Sequence, residues 1–311
     1  QKSTYWSIKN ATRVNGEIAK LTRGIGAAKS RGGRLPQDDS YREIAVALRD
    51  RLIVPGTGPL LEGRLQGIEH LVVIPDGLLW YVPFEVLPVE EPDSALLGDA
   101  IKVTYAATPS LAMFPTANRP AETSTAVVPG KIFAPRDLDK NASLVASLID
   151  AMPDGASLVV PDEVALPTSR LGKVAGHLLV TDTTTPNPSS MLETRLANYE
   201  AATVRGTLRD WMGAPSSVPG SVFLGAFRSH LDSNQQVSGN EILQTLAALQ
   251  YSGARDVVLS RWAVGGESTA LLLREYAQEL PFLGTADAFS RAKSVLRRTE
   301  LSPITEPTLS G

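Results

Sequence analysis

The chain has 311 residues, a formal net charge of −3 and 43% hydrophobic content, enough to bury a substantial core in one large domain or two lobes. Its charge gives no field to attract nucleic acid, and no apolar run approaches the ~18 residues of a membrane helix. The absence of cysteine excludes disulfides, thiolate zinc sites and cysteine catalysis.

Val14, Ile18, Leu21 and Ile25 recur at helical spacing and predict an amphipathic helix over 4–27. "RGIGAAKSRGGRLPQDD" then reads as a linker. Its "GIGAAK" follows a helix and does not join a strand to a helix, so the context of a phosphate loop is missing. Ser40 and Glu43 form a candidate capping box for a second helix, with Tyr41, Ile44, Ala45, Leu48 and Leu52 on one face. Residues 1–58 thus read as an N-terminal helical segment, the possible end of a larger helical region.

From residue 59 onward strands and helices alternate. Short valine-, isoleucine- and leucine-rich runs bounded by glycine or proline predict strands at 70–74, 79–82, 102–106, 131–133, 157–160, 177–181, 221–226 and 256–261. Helices are predicted at 142–152, 190–212, 239–252, 267–280 and 285–298. This order implies an α/β domain over 59–300 with a mostly parallel sheet flanked by helices. "RPAETSTAVVPG" (119–130) is the best internal boundary if the domain has two lobes.

Two stretches carry a family resemblance. "HLVVIPDGLLWYVPFEVLP" (70–88) fits a strand followed by a PDG-x-L-x-x-x-PF-x-x-L pattern, through Pro75, Asp76, Gly77, Leu79, Pro83, Phe84 and Leu87. From Ser221 to Val264 the chain reads as a buried strand, a polar loop, a helix ending at Gly253 and a second buried strand. Gly239, Glu241, Leu246, Gly253, Ala254, Val257, Val258, Trp262 and Val264 fall in the matching places. In order and spacing the chain resembles the CHAT domain, a caspase-like relative of separase in a cysteine-peptidase clan.

The resemblance implies a caspase-like fold, and it also implies a His/Cys dyad, which this chain lacks. The nucleophile's position falls on Phe227 and that of the catalytic histidine on Thr181, or on Thr183 after a shift of two places. Asp182 stands where the family carries glycine, and His177 matches a preceding, non-catalytic histidine. Gly265 and Gly266 replace acidic residues that often follow. Losing both members of the dyad together points to a degenerate domain.

In an open α/β sheet, ligands gather beyond the carboxyl ends of the strands. His177, Asp182, Thr183, Arg228, Ser229, His230 and Trp262 therefore form the candidate cleft. Phe227 and Trp262 read equally as core packing, and the polar loops at 181–189 and 227–238 read equally as solvated turns. A hydrolase built on Ser229, or on a threonine of 181–185, with His177 is the alternative from another class; no G-x-S-x-G elbow accompanies the serine. A small-ligand sensor using the same cleft is a third reading. Three histidines without an H-E-x-x-H give no metal site, and no cofactor is expected. The expected role is a non-enzymatic pseudoprotease that binds a protein partner or neighbouring domains of a larger chain. Neither nucleic acid nor a membrane is an expected partner, and the favoured compartment is the cytoplasm.

Overall fold

The computed structural model of the chain describes residues 10–25, 40–53, 65–90, 95–112, 125–128, 146–152, 157–159, 171, 175–184, 186–187, 189–196, 206–214, 219–227, 229, 238–261 and 266–299. Those up to Ala112, together with Ser238 and Gly239, form one compact unit; those from Thr125 onward, that pair aside, form a second.

In the first unit a helix spans Ala11–Gly24. It starts later than the apolar spacing predicts because Asn10 sits in the left-handed region (φ 62°), and its side-chain oxygen accepts the Arg13 N–H. Val14, Ile18 and Leu21 are buried, as are Ala45, Leu48 and Leu52 on the Ser40–Leu52 helix that packs against it. A Glu17–Arg51 ion pair at 3.1 Å ties the two helices. Leu65, Val89, Leu97 and Ile101 form a second cluster, with Ile53, Leu71 and Val103 packed on it. Leu71 and Val103 come from a two-stranded parallel sheet, β1 (His70–Val73) and β2 (Lys102–Tyr105), in register from His70↔Lys102 to Val73↔Tyr105.

The strand expected at 79–82 is instead part of a 3-10 helix, Gly77–Tyr81. Gly77 at φ 54° turns the chain sharply, and the Leu79 N–H bonds the Asp76 carbonyl. Trp80 and Tyr81 are both buried. A short apolar run buried on all sides has no period to separate strand from helix.

The second unit holds five parallel strands in the order β4-β3-β5-β6-β7. They are β3 (Thr125–Val128), β4 (Ser157–Val159), β5 (His177–Thr184), β6 (Ser221–Phe227) and β7 (Asp256–Leu259). Counted along the chain this is 2-1-3-4-5, a doubly wound order. β3 is a strand the sequence reading did not predict: it lies within 119–130 and pairs with strands on both sides. The strand expected at 131–133 lies outside the described residues. Val127, Leu179 and Phe223 on one face meet Leu273, Tyr276, Leu280, Ala288 and Ala292 of the helices Gly266–Glu279 and Thr285–Arg298. Leu178, Val222 and Leu224 alternate to the other face and are also buried. Both faces are covered, as a parallel sheet requires.

The first rank of this sheet is polar on every strand: Ser157–Thr125–His177–Ser221–Asp256 in register. Thr285 Oγ1 donates to Ser221 Oγ at 3.0 Å. The Tyr276 hydroxyl is buried beside this pair, and burial pushes its pKa well above the usual tyrosine value.

The helix expected at 142–152 is described at 146–150. The single helix expected at 190–212 does not form. Arg195 and Thr207 make an antiparallel bridge, which folds the segment back on itself. A 3-10 turn occupies Met191–Glu193, and a new helix, Leu208–Gly213, starts at a capping box made by Thr207 and Asp210. The helix Asn240–Tyr251 packs on Leu208–Gly213 and β7.

Candidate functional site at the carboxyl edge of the sheet

β5 and β6 are adjacent and parallel, so their carboxyl ends lie side by side. Val180 pairs with Leu224, then Thr183 with Ala226 and Thr184 with Phe227. Three steps along β5 match two along β6, so β5 carries one extra residue, a bulge at Thr181 and Asp182. The bulge changes the expected geometry. β5 runs three residues past the predicted end, Thr181 sits within the strand, and the residue in register with Phe227 is Thr184. Thr181, Thr184 and Phe227 are all buried, the last with no exposed surface.

Three hydroxyls at this edge are bonded to backbone. Thr184 Oγ1 donates to the Leu196 carbonyl, and Ser260 Oγ donates to the Phe227 carbonyl at 2.8 Å. The hydroxyl of Ser229, itself buried, donates to the Arg261 carbonyl. Ser229 and Ser260 thus brace the ends of β6 and β7 from both sides.

Beyond β5 the chain is organised by its own side chains. The Asn187 N–H bonds Thr194 Oγ1 at 2.9 Å, and Asn187 Oδ1 accepts the N–H groups of Ser189 and Ser190. Such an Asx turn substitutes a side-chain carbonyl for a backbone one. Ser189, within the stretch read as a solvated turn, is exposed, and just beyond that stretch Thr194 and Leu196 are buried.

His177 lies at the opposite end of the sheet. It is in register with Ser221, and six residue steps lead from that rank to Phe227, roughly 20 Å at ~3.3 Å per residue. An imidazole there cannot reach Ser229, which follows Phe227 by two residues. The candidate cleft therefore loses His177, and the dyad of His177 with Ser229 does not assemble. Arg228, His230 and Trp262 lie outside the described residues. Asp182 and Thr183 are placed by their backbone in β5 alone. Among the described residues no three His, Asp or Glu side chains are grouped to hold a metal ion, and no helix is long and apolar enough to cross a membrane.

One feature of the first unit joins the two matched motifs and escaped the sequence reading. The Gly239 N–H donates to the Tyr81 hydroxyl at 3.1 Å across a separation of 158 residues. Gly239 has φ 73°, and a Cβ there would stand 2.3 Å from the Gly77 carbonyl oxygen and 3.0 Å from Trp80 Cβ. Both glycines and Tyr81 lie inside the motif stretches. The stretches themselves were the available signal, but their meeting is visible only in three dimensions.

A doubly wound parallel sheet with helices on its faces, in which the third and fourth strands end side by side, is the framework of caspase-like peptidases. The CHAT domain model matches residues 42–304, well over half of the chain, and the chain belongs to the CHAT domain family, which is peptidase-related. No curated protein matches the chain significantly.

Proposed function

We propose that this chain is a catalytically silent CHAT domain that works as a protein-interaction or regulatory module. The observation that carries the reading is Phe227: a fully buried phenyl ring occupies the strand end where the family places its nucleophile, in a chain without cysteine. An aromatic ring of ~150–250 Å² fills the space that a dyad and a substrate side chain would need. The backbone-bonded hydroxyls of Thr184, Ser229 and Ser260 support the same reading, since none donates to a side-chain base in those bonds.

The hydrolase alternative has less support. Its base, His177, is a sheet length away from Ser229, and a serine nucleophile needs a base within hydrogen-bond reach. The small-ligand reading has no specific observation in its favour. The deciding experiment assays the wild type against a peptide library and with a covalent serine probe, beside Phe227→Cys combined with Thr181→His or Thr184→His. No turnover is expected from either variant or from the wild type, because a misplacement of ~1 Å costs roughly a hundredfold. Turnover by the wild type, or labelling of Ser229 by a covalent serine probe, would overturn the reading.

A further inference from the structure

The helix Thr285–Arg298 carries four basic side chains, Arg291, Lys293, Arg297 and Arg298, against one acidic residue, Asp287, in a chain whose net charge is negative. Its apolar positions turn inward: Ala288 and Ala292 are in the core, with Phe289 packed against it. Arg291, Arg297 and Arg298 stand on the exposed side. Lys293 is held over the Phe289 ring at 5.3 Å, and Arg291 pairs with Glu279 at 3.5 Å, an ion pair that solvent screens. Immediately before the helix, the turn after Glu279 presents Phe282 at 73% exposure and Leu283 at 38%. These are two of only three large hydrophobic side chains exposed among the described residues of the second unit.

An exposed phenyl ring and leucine at one end of the ~21 Å helix, and arginines over its last ~10 Å from 291 to 298, give the face a direction, with Asp287 in the first turn between them. Arg291 and Arg298 are seven residues apart, two turns, and so lie on one face about 10 Å from each other. Guanidinium groups in that spacing suit carboxylates, which they bind through paired hydrogen bonds. A single helix on a chain of net negative charge does not offer the broad basic field that a nucleic acid requires. A membrane-binding helix turns a continuous apolar face outward, and this one turns it into the core.

We propose that this face docks an acidic segment of a protein partner, about six residues long when extended, with an apolar residue at one end seated on Phe282 and Leu283. The proposal rests on the interaction-module reading and names the chemistry of the partner. It also sets the apolar end of the docking face apart from the carboxyl edge. The turn at 280–284 leads into Thr285, which is bonded to Ser221 at the amino edge of the sheet, the end away from Phe227.

The test is a selection of random displayed peptides on the whole chain, followed by anisotropy titration of the enriched peptides. Enrichment of acidic residues next to an apolar one is expected, with affinity that weakens as salt rises. Arg291→Gln with Arg298→Gln should weaken binding by about three- to tenfold, and Phe282→Ser by about tenfold. All three positions are exposed, so the variants keep the fold. Peptides without acidic bias, equal binding by the variants, or Phe282-dependent binding to phosphatidylserine vesicles in place of the peptides would overturn it. Cleavage of the bound peptides by the wild type would sink the silent-module reading and leave the docking face standing.

Discussion

Gly239→Ala tests the meeting of the two motifs most directly. The new methyl would lie 2.3 Å from the Gly77 carbonyl oxygen, well inside van der Waals contact, and the obstacle is backbone that cannot rotate away. Overpacking of this kind costs about 1–3 kcal/mol. Alanine at φ 73° adds about 1–2 kcal/mol. Any shift that relieves the clash stretches the bond from the Gly239 N–H to Tyr81, and a buried donor left unsatisfied costs about 1–3 kcal/mol. The expected loss is therefore about 3–8 kcal/mol, read by urea denaturation with the fluorescence of neighbouring Trp80. Gly67→Ala is the control, since Gly67 has φ 72° but nothing within 4 Å of its Cβ; it should lose only the backbone part, about 1–2 kcal/mol. Tyr81→Phe should cost about 1–3 kcal/mol. Combined with Gly239→Ala it should cost less than the sum, because both changes break the same bond. If Gly239→Ala costs no more than Gly67→Ala, the close approach is not there and the reasoning fails.

Tyr276 keeps its proton in the folded state beyond the pH at which the unfolded chain loses it. Its contribution is fully present below pH ~10 and declines above it, by up to about 1.4 kcal/mol per pH unit. The alkaline limb of a stability–pH curve should be shallower in Tyr276→Phe than in the wild type, and equal slopes would contradict the buried neutral hydroxyl. Phe227→Ala should cost about 3–5 kcal/mol in chemical denaturation, whereas a surface-like loss below 1 kcal/mol would mean that the ring does not fill the strand end. Ser260→Ala and Ser229→Ala each leave a backbone carbonyl without its hydroxyl donor and should cost about 0.5–1.5 kcal/mol, measured the same way.

The strands β1, β2, β4, β6 and β7 were legible from the sequence because each is a short branched-chain run bounded by turn residues. The three C-terminal helices were legible because their amphipathic period is long enough to count. β3 was not: only Ala126, Val127 and Val128 carry its apolar signal, and Pro129 and the small polar residues before it read as punctuation. β5 was cut short because Asp182 and the threonines continue a strand only when β6 is present to pair with them. The 190–212 segment reads as helix until the bridge from Arg195 to Thr207 is known. At the site, the missing thiol could be read directly, whereas the position of His177 at the wrong end of the sheet depends on pairing that no single strand encodes. Which residue of β5 stands in register with Phe227 could not be read, because a bulge leaves no local mark.

The polar rank at the amino edge of the second sheet has a consequence for alignment. A parallel strand can slide by two residues and keep the same side chains on the same face, so hydrophobic strands offer many near-equivalent pairings. Here such a slip would carry His177 or Ser221 into the layer of Leu179, Phe223 and Val258, where an unpartnered polar group costs several kcal/mol. Ser221 would also leave the hydroxyls of Thr285 and Tyr276 behind. The row therefore acts as a common starting line for the five strands, admitting one offset and penalising its neighbours. Replacing it with valine and isoleucine would preserve apolar burial while removing the mark by which each strand finds its place.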